Sequence, residues 1–126
     1  MIYTTYFAKL KSLPKDIIPI SICGKAPNGY TGLQYKKLAP KYDFFMDWKL
    51  TGDNEQYIKC FKEQVLNTLK ADEVVFELID TVYYLNGTDM DIALVCYEKP
   101  GDFCHRHLVA EWLRENGYEC EEYQFT

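Results

Sequence analysis

Ile92-Ala93-Leu94-Val95-Cys96, preceded by Asp91 and followed by Tyr97-Glu98, decides the fold. Five consecutive apolar residues leave no polar side for solvent. A strand of this kind is covered on both faces, which is the situation inside a parallel sheet. The residues after it fit the same reading. Lys99-Pro100-Gly101-Asp102 is turn chemistry. From Cys104 to Asn116, Leu108, Val109, Trp112 and Leu113 recur at helical spacing, and Gly117 supplies the stop. Tyr118 to Phe125 then reads as a last strand, placed at an edge by Glu119, Glu121 and Glu122.

The N-terminal half supplies the rest of an alternating pattern. Ile2 to Phe7 and Ile17 to Cys23 read as strands, the second regular only from Pro19 onward, because proline cannot donate to a ladder. Gly24 to Gly32 is a loop. Gln34 to Leu50 reads as helical turns broken at Pro40, with Phe44, Phe45 and Trp48 on one face. Asp53 is a predicted N-cap with Gln56 three residues on, opening a helix from Asn54 to Lys70 whose apolar stripe is Tyr57, Ile58, Phe61, Val65 and Leu69. Residues 73 to 85 fit a helix capped by Asp72 and stopped by Gly87. Thr81 to Leu85 before Asn86-Gly87 also fits half of a hairpin. The helix is preferred because its stripe spans three turns. The expected fold is one α/β domain over residues 1–126: three layers, a mostly parallel sheet, helices on both faces.

Composition bounds the function. A net charge of −5 argues against broad, sequence-blind adhesion to nucleic acid. It leaves room for a local basic pocket from Lys36, Lys37, Lys41, Lys49 or Arg106. No stretch approaches the roughly 20 apolar residues of a membrane span, and Lys9, Lys11 and Lys15 interrupt any signal-like run. The five cysteines are odd in number and widely spaced, so free thiols in a cytoplasmic setting are expected.

The expected functional site is the strand–loop–helix segment from Cys96 to Arg106. In open parallel sheets, ligands bind beyond the carboxyl ends of strands, and a helix N-terminus attracts anions. Arg106 would offer a planar fork to phosphate or carboxylate. Cys104 would be a thiolate favoured by the helix dipole, His105 a proton shuttle, and Glu98 a base within hydrogen-bond reach of one of them. The expected catalytic set is therefore Cys104, His105 and Glu98, with Arg106, Cys96, Tyr97 and Lys49 on the ligand. Basic residues in a first helical turn oppose the dipole, so His105-Arg106 reads as a functional choice. His107 is expected on the exposed side. Cys96, Cys104, His105 and Cys120 are soft donors, but no Cys-x-x-Cys pair exists. No metal and no cofactor are expected.

At these residues the sequence resembles the family called domain of unknown function 488. Ala93-Leu94-Val95-Cys96-Tyr97-Glu98 followed by Cys104-His105-Arg106 matches the family's ending, a strand with Cys-x-Glu, a short loop, Cys-His-Arg, a helix and a last strand. Tyr35, Leu38-Ala39-Pro40, Trp48-Lys49, Tyr57 and Phe61 are similar to one branch, as is the Ile2-Tyr3-Thr4 opening. Many members carry Asp-Val-Arg after the second strand, where this chain has Ser21-Ile22-Cys23. Any role of that arginine is not carried over. The resemblance implies this fold and this site, and no particular reaction.

Three functions are expected to compete. The first is an enzyme, a hydrolase or transferase, acting on a nucleotide or other phosphate-bearing ligand. The second is a binder that sequesters such a ligand, and the third is a protein–protein interaction module. The partner expected is a small anionic or nucleotide-like molecule. Nucleic acid is admitted only through a local contact, a membrane is excluded, and oligomeric state is not legible.

Overall fold

The computed structural model describes residues 1–126. Five strands form one sheet: β1 (Ile2–Tyr6), β2 (Ile17–Ser21), β3 (Leu33–Gln34), β4 (Asp91–Cys96) and β5 (Cys120–Glu122). Their order is β3-β2-β4-β1-β5, and every pairing is parallel. The β4 strand lies between β1 and β2, with Leu94 opposite Thr4 on one side and Ile20 on the other. Ile92 to Cys96 are all buried, as the unbroken apolar run requires.

Four helices accompany the sheet: α1 (Tyr42–Thr51), α2 (Asn54–Gln64), α3 (Ala71–Asn86) and α4 (His105–Glu115). The main core joins Ile20, Ile92, Leu94 and Cys96 to Phe61, Leu78 and Leu113. A smaller core of Leu13, Ile17 and Ala93 forms on the opposite side. It packs against Leu10 in the 3-10 helix Phe7–Ser12 and against Tyr123 and Phe125 near the C-terminus. The result is a three-layer α/β domain whose two outer layers are unequal. No helix is long and apolar enough to cross a membrane.

Several local expectations change. The β2 strand starts at Ile17, before Pro19. Proline is tolerated there because β3 pairs only with Ile20 and Ser21, leaving Pro19 outside that ladder. Gln34 is in a strand, and only Lys36–Leu38 makes a 3-10 turn before Pro40. The helix opened by Asp53 ends at Gln64, after which Leu66–Thr68 is a 3-10 turn. Its cap forms as predicted, the Gln56 N–H donating to Asp53 Oδ1 at 3.1 Å. Residues 71–86 are helical, which removes the hairpin alternative. Lys70 is the N-cap and Asp72 falls in the first turn, while Gly87 adopts φ 71° and its N–H donates to Tyr83 O. The last strand is three residues long and lies at the edge, beside β1.

Candidate functional site

The parallel sheet brings two chain segments to one end. Cys96 closes β4, and Ile22-Cys23 continues from the end of β2. The loop after Cys96 returns to Cys104, which is the N-cap of α4 in an extended conformation (φ −153°, ψ 141°). Cysteine lacks the hydroxyl or carboxylate oxygen of a good cap, and it makes no side-chain cap hydrogen bond. Its sulfur instead stands at the positive end of the helix dipole.

His105 is buried and fixed from two sides. Its Nε2 lies 2.7 Å from the Ile22 carbonyl oxygen, which identifies Nε2–H as a donor. Its Nδ1 lies 3.2 Å from Cys96 Sγ. The sulfurs of Cys96 and Cys104 and the imidazole are within 4.8 Å of one another. These groups divide their protons unequally. The Cys96 thiol, His105 and the Arg106 backbone N–H hold Cys104 far below the ordinary thiol range, against the opposing effect of burial. Burial opposes charge on His105, yet Cys104 and the Ile22 carbonyl outweigh it and lift the imidazole above its ordinary value. Burial, then the adjacent thiols of Cys104 and Cys23, push Cys96 well up. These directions favour negative charge on Cys104 and positive charge on His105, and keep the proton on Cys96.

This cluster is the floor of a cleft of about 700 Å³. Its walls are largely aromatic. Trp48 from α1, Tyr57 from α2 and Phe103 from the loop between β4 and α4 contact one another, with ring centroids 5.0–5.7 Å apart. Phe45 and Tyr97 continue the lining, and Lys25 and Lys49 bring positive charge to it. The Lys49 ammonium lies 5.1 Å from the Phe45 ring centre. Flat, apolar walls with a few polar groups suit a planar ligand.

The expected site residues separate into two groups. Cys96, Tyr97, Glu98, Cys104, His105 and Lys49 all line the cleft. Arg106 does not. It is fully buried, its Nε and Nη2 donate to the two Glu122 oxygens at 3.0 and 2.9 Å, and its Nη1 donates to the Glu98 carbonyl oxygen. Each nitrogen of the guanidinium thus donates to a partner within the protein. The contact between Glu98 and Arg106 runs through the Glu98 backbone, and the exposed Glu98 carboxylate makes no hydrogen bond to Cys104, His105 or Arg106. His107 is half-buried rather than exposed. Of the expected basic residues, Lys37 pairs with Glu77 and Lys36 donates to the Gly24 carbonyl.

Sequence reasoning missed Cys23, Lys25, Trp48, Tyr57 and Phe103 as lining residues. The available signal was topological: Cys23 and Cys96 both follow strands of one parallel sheet, so they emerge at the same end. Trp48 and Tyr57 carried no such signal, since they sit at helical spacing like any core stripe, and Phe103 is a lone aromatic in the loop before α4. The donors able to hold a cation are Cys96, Cys104 and His105, and Cys120 on β5 is not among them.

Comparison with protein families places residues 5–117 in a match to the family model described as DUF488-N3a, Active DUF488-N3 subclade. No match was found among curated proteins or among solved structures.

Proposed function

The chain belongs to the DUF488 family, and from that premise we propose that its cleft binds a nucleotide or similar phosphate-bearing ligand and directs the Cys104 thiolate at it. The observation that carries this reading is the placement of Cys104 and His105 on the floor of an aromatic-walled cleft. The ring of the ligand packs against the aromatic wall that Trp48 and Phe103 present to the cleft, and its anionic part faces Lys25 and Lys49. Cys104 is the nucleophile and His105 the group that returns a proton to what leaves. The reaction class is hydrolysis or group transfer through a thiol-bound intermediate. Arg106 is a positioning residue in this reading, because it holds the Glu98 end of the loop against α4.

Adenosine, adenosine monophosphate and inorganic phosphate, offered separately to the full chain, test it. Trp112→Phe leaves Trp48 as the fluorescent reporter. Quenching by the monophosphate that exceeds quenching by the nucleoside, and that weakens in Lys49→Ala, is expected. No quenching by either overturns the ligand class. Cys104→Ser separates an enzyme from a sequestering protein: it abolishes turnover and any mass adduct in the first, and leaves affinity and behaviour unchanged in the second.

A further inference from the structure

The cleft floor also carries the donor set of a metal site. Two sulfurs and an imidazole nitrogen, all from buried residues, lie within 4.8 Å of one another. Around a tetrahedral zinc ion, sulfur and nitrogen donors sit roughly 3.5–3.8 Å apart, given the usual bond lengths. The Cys96 Sγ lies 3.2 Å from His105 Nδ1 and 3.5 Å from Nε2, so the donors come within reach of one ion once that sulfur swings off the ring face into line with Nδ1. Soft thiolates with imidazole select zinc-class cations over magnesium or calcium.

The orientation of His105 is the second observation. Metal-binding histidines hold their other ring nitrogen on a carbonyl or carboxylate, which fixes the ring. Here Nε2 is held by the Ile22 carbonyl oxygen at 2.7 Å, which leaves Nδ1, 3.2 Å from Cys96 Sγ, as the ring's free donor. The absence of a Cys-x-x-Cys pair does not count against such a site. That spacing belongs to closed structural zinc, whereas three protein donors with one open position is the other common arrangement.

We infer that Cys96, Cys104 and His105 form a site for a soft divalent cation of the zinc class, with the fourth coordination position open to the cleft. The inference stands apart from the nucleotide reading. A ligated Cys104 is withdrawn from nucleophilic attack, so cation and thiol reagent compete for it.

The test uses the full chain, kept reduced with a phosphine, stripped with a chelator, and titrated with Co²⁺ and then Zn²⁺. One equivalent of Co²⁺ is expected to give sulfur-to-cobalt charge-transfer absorption with tetrahedral visible bands, both removed by Zn²⁺. Cys104→Ser and Cys96→Ser each weaken binding by about 100-fold or more, beyond the usual loss from a surrounding residue. Cys60→Ser leaves it unchanged. A wild-type chain with no charge-transfer band, or a band undiminished in Cys104→Ser, overturns the site. Because Cys96 lies in the core, circular dichroism accompanies its variant. A further arm needs no substitution: Zn²⁺ slows iodoacetamide modification of Cys104, mapped by mass spectrometry, and chelator restores it. An unchanged rate overturns the inference. Nucleotide binding is measured on the chelator-stripped chain, so the two proposals fail separately.

Discussion

Arg106 and Glu122 meet through two parallel hydrogen bonds, Nε to Oε1 at 3.0 Å and Nη2 to Oε2 at 2.9 Å, with the arginine fully buried. Thr4 Oγ1 donates to the same Glu122 oxygen at 2.6 Å, and the guanidinium lies 5.7 Å from the Tyr6 ring centre. One ion pair thus ties α4 to β5 and β1. It also accounts for a basic residue in a first helical turn: the charge is offset by Glu122 across the fold. Glu122→Gln leaves the buried guanidinium without its counter-charge and is expected to cost about 3–5 kcal/mol in urea unfolding. Arg106→Met combined with Glu122→Leu is expected to recover most of that. A Glu122→Gln chain as stable as wild type contradicts this account.

Leu94 is fully buried in the central strand, whereas Leu85 is 57 % exposed. Leu94→Ala is expected to lower stability by about 2–5 kcal/mol. Leu85→Ala is expected to fall within about 0.5 kcal/mol of wild type. Equal losses at the two positions would mean that β4 is not central.

Alkaline pH acts on Cys120. Burial, with Arg114 opposing and Glu122 and Glu121 adding, pushes this thiol from 9.0 up to about 11. A group that binds its proton more tightly when folded stabilises fully below its unfolded value. That contribution is lost as pH rises from 9.0 through about 11. Denaturant midpoints measured across this window are expected to fall, and to fall less steeply in Cys120→Ala. Identical slopes would remove Cys120 as a cause.

Asp53 caps α2 through the Gln56 N–H. Asp53→Ala is expected to cost about 1 kcal/mol and to leave Cys104 alkylation unchanged, since the cap does not line the cleft. Thermal melts and a thiol-labelling time course read the two effects independently.

What could be read from sequence follows from how local each signal is. The β4 run announces burial on both faces by itself, and the stripe from Val74 to Val82 with Gly87 behind it marks a helix within its own residues. The β3 strand could not be read, because two residues carry no periodicity and Leu33–Gln34 exists only where β2 accepts it. Cys104 and His105 were legible from the strand–loop–helix order. The fate of Arg106 was not, because its partner lies 16 residues away and meets it only once β5 is in the sheet. Trp48, Tyr57 and Phe103 look like core in sequence, and become cleft walls only when α1, α2 and the loop between β4 and α4 converge.

The parallel register also sets an order in time. The first strand of the sheet, Ile2–Tyr6, pairs only with residues 92–96 and 120–122. As the chain leaves the ribosome, β1 has no neighbour until β4 has emerged, and Arg106 then stays unpaired for a further 16 residues until Glu122 follows. Contacts this distant along the chain make for slow folding. A nascent chain stalled before residue 120 therefore holds all the thiols of the cleft, Cys23, Cys96 and Cys104, on a sheet that still lacks its last edge.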